Sequence, residues 1–150
     1  DPELATVAAR HALASADVVV AAEGATFALT EVKLGLAPAA ISLTVFPRMT
    51  SRGAALRALG GEVFTAAQAQ ADGLVTEVVP AEELDESVDR VTSSLATGAL
   101  QGLRETKKLL NAPLVEHLDA HGRDVAALSA RLFGSEEAKE AMTAFLSRKR

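Results

Sequence analysis

Residues 25–42 read ATFALTEVKLGLAPAAIS, a stretch in which Glu31 is the one carboxylate among mostly apolar neighbours. The alternation of apolar and polar residues through Leu29 predicts a short strand that carries Glu31. Gly35 and Pro38 then predict a turn before an apolar helix start. An acid in this position is either exposed on a strand, as most carboxylates are, or held in an apolar pocket where it can move a proton. The rest of the sequence decides between these interpretations.

The composition indicates one folded domain and excludes several functions. The chain has 150 residues, 49% of them hydrophobic, which is enough for a core. Its net charge of −5, with neither Trp nor Tyr, makes nucleic acid a poor partner. The absence of Cys excludes disulfides and fits a reducing, cytoplasmic location. The longest mostly apolar run, residues 37–46, is too short to span a bilayer, so we expect no membrane partner.

The first residues, DPELATVAAR, lack the basic and apolar segments of a secretory signal. They open a segment, ELATVAARHALAS, whose alanine content predicts a helix. The chain does not begin with Met, which indicates a processed, trimmed or partial product.

A small β element near the N-terminus and a helical second half are predicted. Residues 18–20 form a β-branched run, and LVTEVVP is a second strand that Pro80 ends. Helical patterns follow the first strands, with N-caps at Thr50 or Ser51 and at Thr65; they cover residues 39–49, 51–59 and 66–72. Two or three strands cannot form a self-sufficient sheet, so we expect partner strands outside these segments.

The second half carries apolar stripes at helical spacing. One stripe includes Leu84 and Leu95, another Leu118 and Leu132. A helix between them is expected to end near Pro113. Because the stripes exceed what a small β element can cover, we expect a homotrimer or a dimer of trimers.

Other candidate sites are weaker. His117 and His121 stand four residues apart on a helix, but the HExxH order is absent, so a solvated helix face is the better interpretation and no metal site is predicted. Lys107 and Lys108, one turn after Arg104, form either an ordinary charged face or a contact for a phosphate-bearing ligand.

The sequence resembles the enoyl-CoA hydratase/isomerase (crotonase) family. The resemblance begins at ADVVVAAEGATFALTEVKLGLAPAAIS and continues through LRALGGEVFTAAQAQADGLVTEVVPAEEL. Nineteen positions fall in register with the family pattern: Asp17, Ala25, Phe27, Glu31, Leu34, Gly35, Pro38, Pro47, Arg48, Gly61, Glu62, Ala66, Ala69, Gly73, Leu74, Val75, Val79, Thr106 and Lys107.

This resemblance implies an α/β fold of the crotonase (ClpP/crotonase) type. Residues 1–80 would be the C-terminal part of the core, with residues 1–15 atypical, and residues 81–150 would be a helical trimerisation region. The substrate implied is an acyl-CoA thioester, with no cofactor besides the coenzyme A of the substrate itself. Hydration of a 2-enoyl-CoA in fatty-acid or amino-acid degradation is the expected reaction.

The resemblance also assigns site residues. Glu31 matches the family's second catalytic glutamate, which moves a proton or activates water beside the thioester. The expected substrate-binding residues are Thr30, Leu36, Pro38, Ala39, Phe145 and Lys149. Thr30 stands where the family often has Pro, and APAAIS replaces a glycine-rich segment, which would narrow the acyl pocket. Phe145 and Lys149 would approach the nucleotide end of a neighbouring chain's coenzyme A.

The N-terminal segment departs from the family pattern. The first half of the pattern is not recognisable, and Ala8 stands at an oxyanion-hole N–H position where the family has glycine. His11 stands where the first catalytic glutamate would be. Two hypotheses therefore stay open: an enzyme whose N-terminal half lies outside this chain, and a truncated, inactive paralogue that serves as an oligomerisation or interaction module.

Overall fold

The computed structural model describes residues 13–148 of the chain. Residues 13–15 are helical, and the following elements alternate short strands with helices. The strands are β1 (Val20–Ala22), β2 (Thr26–Ala28), β3 (Val63–Thr65) and β4 (Glu77–Val79). The α-helices are α1 (Ala39–Ser42), α2 (Ser51–Gly60), α3 (Ala66–Ala71), α4 (Leu84–Ala96), α5 (Leu100–Phe133) and α6 (Glu136–Arg148). Three 3-10 turns complete the list, at Glu31–Leu34, Phe46–Arg48 and Ala81–Glu83.

The four strands form two separate pairs. β1 lies parallel to β4, with Ala21 opposite Val78. β2 lies antiparallel to β3, with Phe27 opposite Phe64. The strands at β2 and β4 are confirmed, although each is shorter than its sequence pattern, and β1 lies two residues later than the predicted run at residues 18–20. The sequence analysis did not predict β3, which occupies the three residues between Glu62 and α3.

The core lies between these strand pairs and the first helices. Phe64 is its largest fully buried side chain, only 1% exposed, and its ring stacks on Phe27 with centroids 5.7 Å apart. The Arg57 guanidinium lies over the Phe64 ring, 4.9 Å from its centroid. Aliphatic residues fill the rest of the core; they include Leu29, Ile41, Val45, Leu74 and Val75.

Glu31 does not lie on a strand, so the strand prediction is wrong at this position. β2 ends at Ala28, and Glu31 begins a 3-10 turn, residues Glu31–Leu34, called here the Glu31 turn. Gly35 ends it with a φ of 67°, a left-handed conformation that costs a glycine little. The Leu36 N–H donates to the Glu31 carbonyl over 3.0 Å, which closes the turn.

The prediction of a helix over residues 39–49 is also wrong, because the helix observed there is much shorter. α1 ends at Ser42, and a separate 3-10 turn covers Phe46–Arg48. Pro47 has no N–H to donate to the carbonyl four residues earlier, so an α-helix through it would lose a backbone hydrogen bond and meet a clash with the proline ring. The bent segment instead buries Val45 and Met49 in the core.

α2 and α3 agree with the expected bounds within two residues. Thr50 caps α2, because its side chain accepts the Gly53 N–H. Thr65 and Gln68 form a reciprocal capping box at the start of α3. Both N-cap predictions are therefore confirmed.

The second half is helical, but its middle helix is longer than predicted. α5 runs unbroken for 34 residues and contains Pro113, where the sequence predicted an end. A proline inside a helix removes one backbone hydrogen bond. Contacts of α5 with α1, and of its Asn111 side chain with Arg48, fix the helix close to this proline. Among residues 13–148, no helix combines the length and the apolar character that crossing a bilayer requires.

Candidate active site

Glu31 lies at the first position of its turn, half-buried, with the carboxylate atom Oε2 buried. The turn follows β2 directly, so the antiparallel pairing of β2 with β3 fixes where it begins. The Thr30 carbonyl accepts the Lys33 N–H over 3.0 Å, and the Glu31 carbonyl accepts the Leu36 N–H. A partly buried carboxylate on a closed turn is a suitable general acid or base, because its orientation is limited.

Two elements from distant parts of the sequence hold the Glu31 turn. On one side, the Lys33 Nζ atom forms an ion pair with Glu62 Oε1 at 2.7 Å, just after α2. On the other side, α6 packs against the turn. A Cβ atom added to Gly35 would lie 3.3 Å from backbone atoms of Glu137 and Ala138, so glycine is needed for this close approach.

Four of the expected substrate-binding residues lie on the same loop as Glu31. Thr30 precedes the turn, Leu36 follows it, and both are half-buried. Pro38 and the buried Ala39 begin α1, where the Ser42 Oγ atom donates to the Ala39 carbonyl over 2.6 Å. Glu31 therefore shares this loop with mostly apolar, partly buried residues.

The remaining expected site residues do not lie on this loop. Phe145 is on α6, seven residues after Ala138 and thus on the same helix face. Its side chain is 44% exposed. Ala8, His11 and Lys149 lie outside the described residues, so their assignments stay predictions.

A polar cluster ties α5 to the segment before β1. Lys107 Nζ forms an ion pair with Asp17 Oδ2 at 2.5 Å. Asn111 donates to Asp17 Oδ1 over 3.4 Å and accepts from Arg48 Nη2 over 3.2 Å. Arg48 Nε also donates to the Ala14 carbonyl over 3.3 Å. Sequence reasoning placed Asp17, Arg48 and Lys107 in the family pattern but did not pair them, because ninety residues separate Asp17 from Lys107.

The hydrogen bond from Lys107 holds the pKa of Asp17 below its ordinary value of 3.8, and Asn111 acts in the same direction. Because its pKa is lower in the folded state, the ionised Asp17 stabilises the fold at pH values above its unfolded-state pKa. This stabilisation is lost as the pH falls through the folded-state pKa.

Asp17→Asn is therefore expected to lower the free energy of unfolding at pH 7 but not near pH 2. The loss should be small, about 0.2–1 kcal/mol, because both side chains are more than a third exposed. Denaturant unfolding at the two pH values measures it. In a double-mutant cycle, Lys107→Met should add little to Asp17→Asn at pH 7; fully additive losses would contradict the pairing.

The other candidate residues from the sequence mostly contact neighbouring side chains. Lys108 Nζ pairs with Glu105 Oε1 at 2.8 Å, so both lysines of the basic patch have carboxylate partners. The rings of His117 and His121 are 4.7 Å apart between centroids. Within the described part of the chain, no three His, Asp or Glu side chains are placed to hold a metal ion.

The sequence pattern that defines the enoyl-CoA hydratase/isomerase family matches residues 5–150. The chain belongs to this family. The resemblance carried by Glu31, Gly35, Pro38 and the GLV segment is thereby confirmed.

Sequence relatives and solved structures support the same family assignment. The chain is 33% identical over 134 residues to 2,3-dehydroadipyl-CoA hydratase of Escherichia coli K12, covering 89% of this chain and 52% of that protein. It is 32% identical over 137 residues to 1,2-epoxyphenylacetyl-CoA isomerase of the same organism, covering 89% and 51%. A crystal structure of an enoyl-CoA hydratase from Mycobacterium avium superposes with a TM-score of 0.87 at 40% identity, over 93% of this chain and 55% of that one.

The superposition on this crystal structure confirms the predicted fold class, a partial crotonase-like α/β fold. The chain spans about half the length of the curated relatives it matches. The division into a core up to residue 80 and a helical oligomerisation region stays a prediction.

Proposed function

We propose that this chain acts on an acyl-CoA thioester and that the reaction is hydration of a 2-enoyl-CoA, in fatty-acid or amino-acid degradation. Membership of the family supports an acyl-CoA substrate. The single observation that carries the proposal is Glu31, a half-buried carboxylate on a closed turn beside the apolar loop of Leu36, Pro38 and Ala39.

In this reaction, water adds across the C2–C3 double bond of the enoyl group. The Glu31 carboxylate accepts one proton from water while the water oxygen bonds to C3. The electron pair of the double bond moves towards the thioester carbonyl oxygen, where backbone N–H donors stabilise negative charge. The carboxylic acid of Glu31 then returns a proton to C2, so a single residue completes the addition. The resemblance places one N–H donor at Ala8.

In this proposal, residues other than Glu31 bind the acyl-CoA. Thr30, Leu36, Pro38 and Ala39 contact the acyl group, and Phe145 and Lys149 contact the nucleotide end of a neighbouring chain's coenzyme A. Lys149 would bind phosphate as a point charge. No further cofactor is needed, because both the proton and the hydroxyl group come from water. A cytoplasmic location fits the absence of Cys.

The alternative is a non-catalytic paralogue that keeps the helices as an oligomerisation or interaction module. His11 and Ala8, where the family has glutamate and glycine, favour it. The deciding experiment is a turnover assay of the chain with a short 2-enoyl-CoA, beside a binding measurement with the saturated acyl-CoA. Turnover supports the enzyme; binding or self-association without any turnover supports the interaction module.

We also propose a homotrimer, or a dimer of trimers. Apolar side chains of α5 are left exposed, among them Leu109 at 77% and Leu110 at 66%. Light scattering at micromolar concentration should give a mass three or six times that of the chain. A stable, folded monomer at that concentration would contradict this assembly.

A further inference from the structure

We infer that α6 positions Glu31, and that the buried Ala138 is the residue through which it does so. This inference rests on the proposed function for its effect on catalysis. Ala138 does not contact the substrate in this account. It acts through the backbone of the Glu31 turn.

The burial pattern of α6 singles out this residue. Ala138 is 0% exposed, whereas its neighbours Glu137 and Lys139 are exposed. Among the described side chains of α6, Ala138 is the one that is buried. The element that α6 contacts most extensively is the Glu31 turn, followed by the end of α5. The helix therefore approaches the Glu31 turn at the buried position of Ala138.

The contact is made between backbones. Gly35 lies so close to the helix that an added Cβ would come within 3.3 Å of the Ala138 N and Cα atoms. Gly35 also ends the Glu31 turn, and its N–H donates to the Val32 carbonyl over 3.3 Å. Moving the helix outward or inward must therefore shift the turn, since close-packed backbones do not deform independently.

The start of α6 is itself fixed. The Ser135 Oγ atom accepts the Ala138 N–H over 3.2 Å and donates to the Leu132 carbonyl over 2.7 Å. This cap joins the first turn of α6 to the last turn of α5. The α5–α6 junction thus provides a rigid support behind Gly35, and catalytic groups held by such a support keep a productive geometry.

The test compares Ala138→Val with Ala144→Val, which places the same change on an exposed position of the same helix. Hydrogen exchange of residues 29–37 should be about tenfold faster in Ala138→Val and unchanged in Ala144→Val. With a 2-enoyl-CoA, kcat should fall about 10²-fold in Ala138→Val, with KM within about threefold of the parent, because a small misplacement of a catalytic group has this effect. Ala138→Ser, a smaller change, should show the same pattern more weakly.

Several outcomes would overturn the inference. Exchange over residues 29–37 that matches the Ala144→Val control would mean that α6 does not order the turn. Faster exchange with an unchanged kcat would mean that Glu31 does not depend on it. If kcat falls, KM rises and hydrogen exchange becomes faster throughout the chain, Ala138 has only a structural role. A parent without turnover rejects the proposed function instead, and the exchange measurement then decides alone whether α6 holds the turn.

Discussion

Glu31→Gln is expected to lower kcat for hydration of a 2-enoyl-CoA by about 10²–10⁴-fold, the usual contribution of a general acid–base group. Glutamine keeps the size and shape of the side chain but can neither accept the proton from water nor return it to C2. The loss should lie at the upper end of that range, because the resemblance places His11 at the position of the partner glutamate, so that Glu31 would work alone.

The same variant should fold and bind normally. The backbone bonds that close the Glu31 turn do not involve the carboxylate, and in the proposed function most of the binding energy would come from coenzyme A contacts elsewhere. Affinity for a saturated acyl-CoA should stay within about threefold of the parent, since the uncharged amide removes no contact to coenzyme A.

The matched control is Glu23→Gln, an exposed glutamate between β1 and β2. It removes the same charge outside the site and should leave kcat unchanged. If Glu31→Gln retains a kcat within about threefold of the parent, or if both variants lose activity equally, the proton-moving residue has been wrongly assigned.

Phe64→Ala is expected to cost about 3–5 kcal/mol of the free energy of unfolding. Phe64 is 1% exposed, stacks on Phe27 and lies under the Arg57 guanidinium, so its removal leaves a cavity between β2, β3 and α2. A loss of this size is a large fraction of the roughly 5–15 kcal/mol that typically stabilises a domain.

Urea unfolding followed by circular dichroism measures this loss. The control is Val63→Ala, on the neighbouring residue of β3, which is 66% exposed and should change the free energy of unfolding by less than about 0.5 kcal/mol. A loss below about 1 kcal/mol for Phe64→Ala would mean that the two-strand pair around Phe27 is not the centre of the core.

The local parts of the fold could be predicted from sequence because their signals are local. The N-caps at Thr50 and Thr65 depend on side chains within one helical turn. The family pattern around Glu31 was equally visible, since residue type and spacing alone define it. The fold class followed from this pattern, and the comparisons confirm it.

The features that could not be predicted depend on tertiary contacts. Pro113 was expected to end a helix, but α5 continues through it beside the contacts of Asn111. Glu31 has a strand-like sequence context, yet it begins a 3-10 turn that Gly35 closes. The contact between Gly35 and Ala138 joins residues about a hundred positions apart, and one alanine among several in α6 carries no sequence signal of it.

Product analysis in water labelled with heavy oxygen shows whether Glu31 adds water to an enoyl-CoA. The chain is incubated with a short 2-enoyl-CoA, and the thioester product is examined by mass spectrometry. The account predicts a 3-hydroxyacyl-CoA that carries one solvent oxygen, formed by the parent and by Glu23→Gln and nearly absent with Glu31→Gln. An unchanged enoyl-CoA with the parent, under conditions in which the thioester binds, would contradict the account.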